Sequence, residues 1–182
     1  MEYWLQTDDI NSFRYLLDFY DAGKYLIDSE KLQFTPYYSA WSCNGCQQDS
    51  QVFKSCISNG KYCAKHNFDS GKELIMETLR QVCIHKTDQN KWFAYLNKMI
   101  RNSNDCIKER SAEKLKECSL TAMKENGIDS QGIESCVEKS FFEPGNLESD
   151  NYLLRKFREL AENRGVTYTP YIQINGDEYI VE

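Results

Sequence analysis

Residues 33–63 read QFTPYYSAWSCNGCQQDSQVFKSCISNGKYC, and the architecture of the chain turns on how this stretch is read. Phe34, Tyr37, Tyr38 and Trp41 are β-formers, and Pro36 fits only at the edge or entry of a strand, so the segment is expected to begin extended. It then reaches Cys43-Asn44-Gly45-Cys46 and is expected to continue as a helix from about Gln47 to Ile57. A strand that runs into Cys-x-x-Cys at a helix start places sulfur beside unpaired N–H groups and partial positive charge. Those features stabilise a thiolate. Cys56 and Cys63 follow in the same stretch, so the site is either redox-active or stapled shut.

The bulk composition narrows the choice. Among 182 residues the net charge is −6, and acidic and basic residues are interspersed. That excludes the clustered Lys/Arg surface of a nucleic-acid or anionic-membrane binder. No apolar run approaches the roughly 18 residues of a membrane span. The opening MEYWLQTDD lacks the basic and apolar regions of a signal peptide. Against this stands an even set of eight cysteines, the mark of a disulfide framework in an oxidising compartment. The two observations agree if the sequence is an excerpt whose targeting segment lies upstream, which is the expectation adopted.

Working outward, Glu2–Gln6 reads as a short aromatic strand. Asp8, Asp9 or Ser12 can cap a helix carrying Phe13, Leu16, Leu17, Tyr20 and Tyr25, with Gly23 as a possible bend. With the Gln33–Trp41 strand this makes β-α-β, the order of a parallel pair with a crossover helix. After Cys63 the pattern turns helical. Asp69 or Ser70 can cap a helix with Leu74, Ile75, Leu79, Val82 and Cys83, and Trp92, Phe93, Tyr95, Leu96, Met99 and Ile100 form a second stripe. Further helices are expected over 112–125 and 129–139, separated by Asn126-Gly127, which suits a helix end. Glu143-Pro144-Gly145-Asn146 breaks the block. A helix from Asp150 or Asn151 to Arg164 carries Leu153, Leu154, Phe157 and Leu160. The last stretch, VTYTPYIQINGDEYIV (166–181), holds Asn175-Gly176 between alternating segments, the strongest local hairpin signal. No helix follows to cover that sheet face, which again suggests a fragment.

This element order is that of an α/β thioredoxin-like fold with a disulfide-linked, all-helical insertion, and Thr169-Pro170 resembles the cis-proline of that superfamily. A closer resemblance rests on EYWLQT at the start, QFTPYYSAW with Cys43, NGKYC ending at Cys63, LRQVC ending at Cys83, KECSLTAMKENGIDSQGIESC and VTYTPYIQING, in that order. In these motifs the chain resembles the central luminal region of the vacuolar sorting receptors over Glu2 to Tyr179. The resemblance implies type I membrane proteins that carry soluble cargo, with the span and the cytosolic tail outside this chain. The expected parts are 1–63 (first half of the thioredoxin-like domain, with the Cys-x-x-Cys helix), 64–145 (cysteine-rich helical insertion) and 146–182 (second half with helix, cis-proline and hairpin, truncated).

The candidate residues carry competing readings. As a dithiol–disulfide exchanger, Cys43, the more exposed sulfur at the helix start, attacks, Cys46 resolves the mixed disulfide, and Pro170 positions substrate backbone. As structural residues, Cys43 and Cys46 pair with each other or with Cys56 and Cys63. The second reading is preferred, because no nearby His, Lys or Arg depresses a thiol pKa. Cys56 and Cys63 flank the turn Asn59-Gly60, which suits a local disulfide. Zinc on Cys43, Cys46, Cys56 and Cys63 satisfies ligand type and count but conflicts with an oxidising compartment, so no metal and no cofactor are expected. Cys83, Cys106, Cys118 and Cys136 are expected to tie helices together. Three pairings are open to them, with the nested Cys83–Cys136 and Cys106–Cys118 as the working arrangement. His66 and His85 read as solvated, and Trp92, Phe93 and Tyr95 as core.

The function expected is protein or peptide binding, of cargo type, in the lumen of the secretory pathway, in vacuolar or endosomal compartments or outside the cell. The groove would be formed by Trp41, Tyr168, Thr169, Pro170 and Tyr171, beside Cys43. Catalysis is not expected, nor is nucleic-acid binding, and membrane contact would come only through segments outside this chain. The alternatives are a secretory-pathway thiol–disulfide oxidoreductase built on Cys43 and Cys46, and a thioredoxin-like structural subunit of a larger extracellular assembly.

Overall fold

A computed structural model describes residues 1–7, 9–43, 45–47, 50–64, 71–102, 106–107 and 111–179, the side chains of Ile10 and Gln51 excepted. Asp8, Asn44, His66, Asp69, Ser70 and Val181, named above, lie outside the described residues. Strand β1 (Glu2–Leu5) is central: β2 (Thr35–Tyr38) pairs with it in parallel and β5 (Tyr171–Ile174) antiparallel, with β6 (Asp177–Tyr179) beyond β5. Alternation along β1 sorts the core. Tyr3 and Leu5 face helix α1 (Ile10–Asp28), where Tyr3 stacks on Tyr15 and donates its hydroxyl hydrogen to the Ser12 carbonyl. Trp4 faces the other way, stacked on Tyr37, whose ring meets Phe157 of α7 (Tyr152–Arg164) edge-on.

Helix α1 starts where Asp9 accepts from the backbone N–H groups of Asn11 and Ser12, the two donors that would otherwise be unpaired. It runs through Gly23 without dividing. Tyr25 falls on its outer face, two-thirds exposed. The helical block supplies α3 (Gly71–Thr87), α4 (Gln89–Arg101), α5 (Ala112–Glu125) and α6 (Ser130–Lys139). Asp88, Ser111 and Asp129 cap the last three. Trp92, Phe93, Tyr95, Leu96, Met99 and Ile100 of α4 are all buried. Phe34, ahead of β2, meets both Trp92 and Phe93, and Tyr38 donates to Gln81 of α3. The α1 face of the sheet is therefore covered by α3 and α4 as well. The chain is an α/β thioredoxin-like domain with a helical insertion tied by disulfides, Cys83–Cys136 and Cys106–Cys118.

Two departures from expectation fall in 33–63. The helix forecast from about Gln47 to Ile57 is one turn, α2 (Gln51–Lys54), capped by Ser50. Cys56–Ile57 (β3) then pairs antiparallel with Tyr62–Cys63 (β4). The turn between them needs positive φ at Ser58, Asn59 and Gly60. Strands this short have no readable period, and the helical spacing of Val52, Phe53 and Ile57 imitates one. At the other end of the chain the hairpin is as expected: Asn175 (φ 53°) and Gly176 (φ 95°) form the left-handed pair that a two-residue connection requires.

Candidate functional site

Strand directions decide what meets at the site. Leu5 stands opposite Tyr38 and Trp4 opposite Tyr171, so the chain leaves β1 and β2 and enters β5 at one end of the sheet. That end gathers Gln6 and Thr7 after β1, Ser39 to Cys43 after β2, and Tyr168 to Pro170 before β5. Carboxyl ends of parallel strands are where open α/β sheets bind ligands. Thr169–Pro170 is a cis peptide, and it leads into β5 beside β1. The Cys pair follows β2, which lies on the far side of β1, two strand spacings or about 10 Å from β5. The segment that adjoins Pro170 is therefore Gln6-Thr7, ahead of the Asp9 cap, and it carries no sulfur. Thr7 is buried, and its hydroxyl shares a 2.7 Å hydrogen bond with that of Thr78 on α3.

The expected chemistry at Cys43 changes accordingly. Cys43 is bonded to Cys46, and Cys56 to Cys63. Cys43 is 5% exposed, whereas Cys46 is half-buried, so the outer sulfur is Cys46 and not Cys43. The turn that closes the pair donates Cys46 N–H to the Cys43 carbonyl, and the next helix begins only at Gln51. Neither sulfur sits at a helix N-terminus, which removes the dipolar stabilisation of a thiolate from the argument. The segment is pinned instead to the β3–β4 hairpin. Trp41 and Cys63 exchange both backbone hydrogen bonds, and Cys43 N–H donates to the Gly60 carbonyl at 2.9 Å. The sulfurs of Cys43, Cys56 and Cys63 consequently lie within 4.8 Å of one another, all buried. All three are held in S–S bonds, and a thiolate cation site there would first require their reduction.

Around this end the residues expected to line a groove divide by exposure. Trp41 is 47% exposed and Tyr168 51%, while Tyr171 is buried with its ring edge-on to Tyr168. Thr169 and Pro170 are half-buried between them. Tyr168 also donates its hydroxyl hydrogen to Glu178 of β6. The hydrogen bond to that carboxylate and burial together raise the Tyr168 pKa above its ordinary value. Beside Trp41 a cavity of about 170 Å³ opens between the end of β2 and α7, lined by Tyr38, Ser39, Ala40, Tyr62, Phe157 and Arg158. Arg158 lies over the Tyr62 ring at 4.5 Å, and Tyr62 donates to Asp150 at 2.9 Å. Burial, then the Asp150 carboxylate, push the Tyr62 hydroxyl up to about 12, so it remains a donor at any physiological pH.

Sequence reasoning missed the polar centre of the helical block. Arg80 is 2% exposed and bonds Glu73 at 2.6 Å and Glu134 at 2.7 Å, with fully buried Glu77 at 3.6 Å. Glu77 accepts from Gln81 and Tyr95, and Tyr95 shares a hydrogen bond with Ser119. Burial raises the Glu77 pKa, and the Arg80 guanidinium opposes the rise. The i, i+3/i+4 spacing of Glu73, Glu77 and Arg80 was the available signal, but it equally describes a solvated ion-pair ladder. His85, expected to be solvated, is half-buried. Its Nε2 lies 3.1 Å from the Phe34 carbonyl, with the ring edge-on to Trp92, and burial lowers its pKa.

Comparison with known proteins adds the lineage. Residues 1–181 match the family model described as the vacuolar sorting receptor thioredoxin-like domain. Vacuolar-sorting receptor 1 of Pisum sativum is 30% identical across 91% of the chain, and vacuolar-sorting receptor 5 of Arabidopsis thaliana 29% across 96%. Vacuolar-sorting receptor 6 of Arabidopsis thaliana is 31% identical across 80%. The chain spans about a quarter of these relatives' length, 28%, 28% and 24% respectively. Among the described residues no helix is long and apolar enough to cross a membrane. By the match over residues 1–181, the chain belongs to the vacuolar sorting receptor thioredoxin-like domain family.

Proposed function

We propose that this chain is a luminal or extracellular protein- or peptide-binding domain of a vacuolar-sorting-receptor-like type I membrane protein, working in the secretory pathway, and that its groove is the sheet end bounded by Trp41, Tyr168, Thr169, Pro170 and Tyr171. The division into 1–63, 64–145 and 146–182 belongs to the same proposal: the two outer parts build the groove and the middle part buttresses it. The observation that carries the reading is the pair of half-exposed aromatic rings, Trp41 and Tyr168, flanking the β1 end next to Pro170 where no sulfur is present. An extended peptide rising about 3.3 Å per residue spans the two rings with a handful of residues and can seat one side chain in the cavity at the end of β2.

The test uses the tryptophans. Trp4 and Trp92 are fully buried, so a polar quencher such as acrylamide reports on Trp41. Peptides selected from a random display library on the oxidised chain should protect that fluorescence and should lose affinity for Trp41→Ala and Tyr168→Ala. Peptides that bind the double variant as well as the parent would reject the groove. A second reading, thiol–disulfide exchange on external substrates, is favoured by the access to Cys46. It predicts catalysed reduction of insulin by the chain with dithiothreitol, abolished in Cys46→Ser.

A further inference from the structure

We propose that the two disulfides of 43–63 form an internal relay in which reduction enters at Cys46 and is passed to the buried Cys56–Cys63 bond. The inference is independent of the binding groove and rests on the packing of the four sulfurs. Cys46 is the sulfur that an external thiolate can reach, because Cys43, Cys56 and Cys63 are 5%, 2% and 1% exposed. Attack on Cys46 expels Cys43 as the leaving group, and the expelled sulfur stays in the cluster where Cys56 and Cys63 lie within 4.8 Å.

The two target sulfurs differ in where a released thiol hydrogen can go. The Cys43 sulfur lies within 4.8 Å of both, next to the Trp41–Cys63 bridge. The hydrogen bond from Cys43 N–H to the Gly60 carbonyl holds Cys43 beside the hairpin while the Cys46 end is released. Cys56 Sγ is 3.1 Å from the Val52 carbonyl, an acceptor for the thiol hydrogen it gains on leaving, whereas Cys63 Sγ is 3.4 Å from the Gly60 carbonyl, which already accepts from Cys43 N–H.

The steps balance with an external dithiol as reductant. One dithiol sulfur attacks Cys46 Sγ, forming a mixed disulfide and releasing Cys43 as thiolate. The second dithiol sulfur displaces Cys46, which takes up a proton, and the reductant leaves as a cyclic disulfide. The Cys43 thiolate attacks Cys63 Sγ, the Cys43–Cys63 bond forms, and Cys56 departs and is protonated. Two electrons and two protons from the dithiol end on Cys46 and Cys56. The chain keeps one disulfide of the original two in this cluster, moved inward. The hairpin stays stapled to the end of β2 while the loop that carried Cys46 is freed.

The experiment exposes the oxidised chain to dithiothreitol at equimolar amount, quenches with acid, alkylates free thiols and maps linked peptides by mass spectrometry without further reduction. The relay predicts alkylation of Cys46 and Cys56 together with a Cys43–Cys63 linked peptide. Alkylation of Cys43 with Cys46, and an intact Cys56–Cys63 peptide, would overturn it. In a Cys46→Ala chain the relay predicts the Cys43–Cys63 link and a free Cys56 without any added reductant. Labelling at Cys43 alone in that chain would overturn it as well. The parent measurement stands whether or not the variant folds. Peptide binding at Trp41 can succeed or fail without affecting either result.

Discussion

The cysteine-rich end (41–63) and the helical block (71–139) each contain disulfides, and they use them differently. In the helical block Cys83–Cys136 spans 53 positions and joins α3 to α6, alongside a core of Leu79, Trp92, Tyr95, Leu115 and Val137 that is already fully buried. In the cysteine-rich end the bonds span 3 and 7 positions, and the sulfurs form a small cluster of their own. The first region has a hydrophobic core and a cross-link that restricts the unfolded chain. The second has too few apolar residues to define its shape without the cross-links. The same covalent device reinforces packing in one place and substitutes for it in the other.

This contrast can be broken by mutation. Replacing both Cys83 and Cys136 by Ala should cost about 4 kcal/mol, from chain entropy over a long loop, read as a lower denaturant midpoint with a steeper slope, because the unlinked unfolded chain exposes more surface. Arg80→Met should cost about 3 kcal/mol, toward the lower end for a broken buried pair, because Glu73 and Glu134 can turn to water while fully buried Glu77 cannot. Adding Glu77→Gln to that variant should recover part of the loss, and no recovery would mean that Glu77 is not the uncompensated charge. The double replacement of Cys43 and Cys46 by Ala should cost about 2 kcal/mol by the same loop argument. Its amide protection should fall across 41–63 and remain in α3 and α4. If it costs as much as losing Cys83–Cys136, the two regions are not distinct and the comparison fails.

The smallest effect is in pH. His85 has its pKa lowered by burial, so the folded state binds its proton less readily than the unfolded chain. Its stabilising contribution is complete above the unfolded pKa of about 6.5 and is lost as pH falls from there through the lower folded value. Glu77 acts with the opposite sign, since its raised pKa favours the fold at lower pH. The wild-type curve mixes the two, and His85→Gln separates them. Gln retains a donor for the Phe34 carbonyl, and the slope of stability against pH below about 6.5 should flatten by up to about 1.4 kcal/mol per pH unit. An unchanged slope would show that His85 is hydrated in solution.

Much of the fold was legible before any coordinates. Apolar residues at helical spacing marked four helices, and Asp129 and Asn151 marked the starts of two of them. Asn175-Gly176 marked the hairpin. These signals are local: a cap bonds residues two or three positions on, and a two-residue turn needs its own φ values, so contiguous sequence contains the whole interaction. The resemblance to the sorting receptors was legible for the same reason, as ordered motifs around the cysteines.

The candidate site was only half legible. Trp41, Tyr168 and Pro170 could be named from the sequence, but their relation to Cys43 could not. It depends on β1 lying between β2 and β5, an arrangement set by pairing across more than 160 residues of separation, as between Trp4 and Tyr171. Burial was equally non-local. Cys43 is the inner sulfur because the Gly60 turn folds over it, and His85 is half-buried because Phe34 and Trp92 arrive from distant segments. By itself the sequence determined the long helices, the strands of the main sheet, the Asn175-Gly176 turn and the lineage, since each is carried by neighbouring residues. It did not determine the hairpin of β3 and β4, whose strands are too short to show a period. Only the tertiary structure decided which strand end adjoins Pro170 and which sulfur meets solvent, because both follow from contacts between residues far apart in the chain.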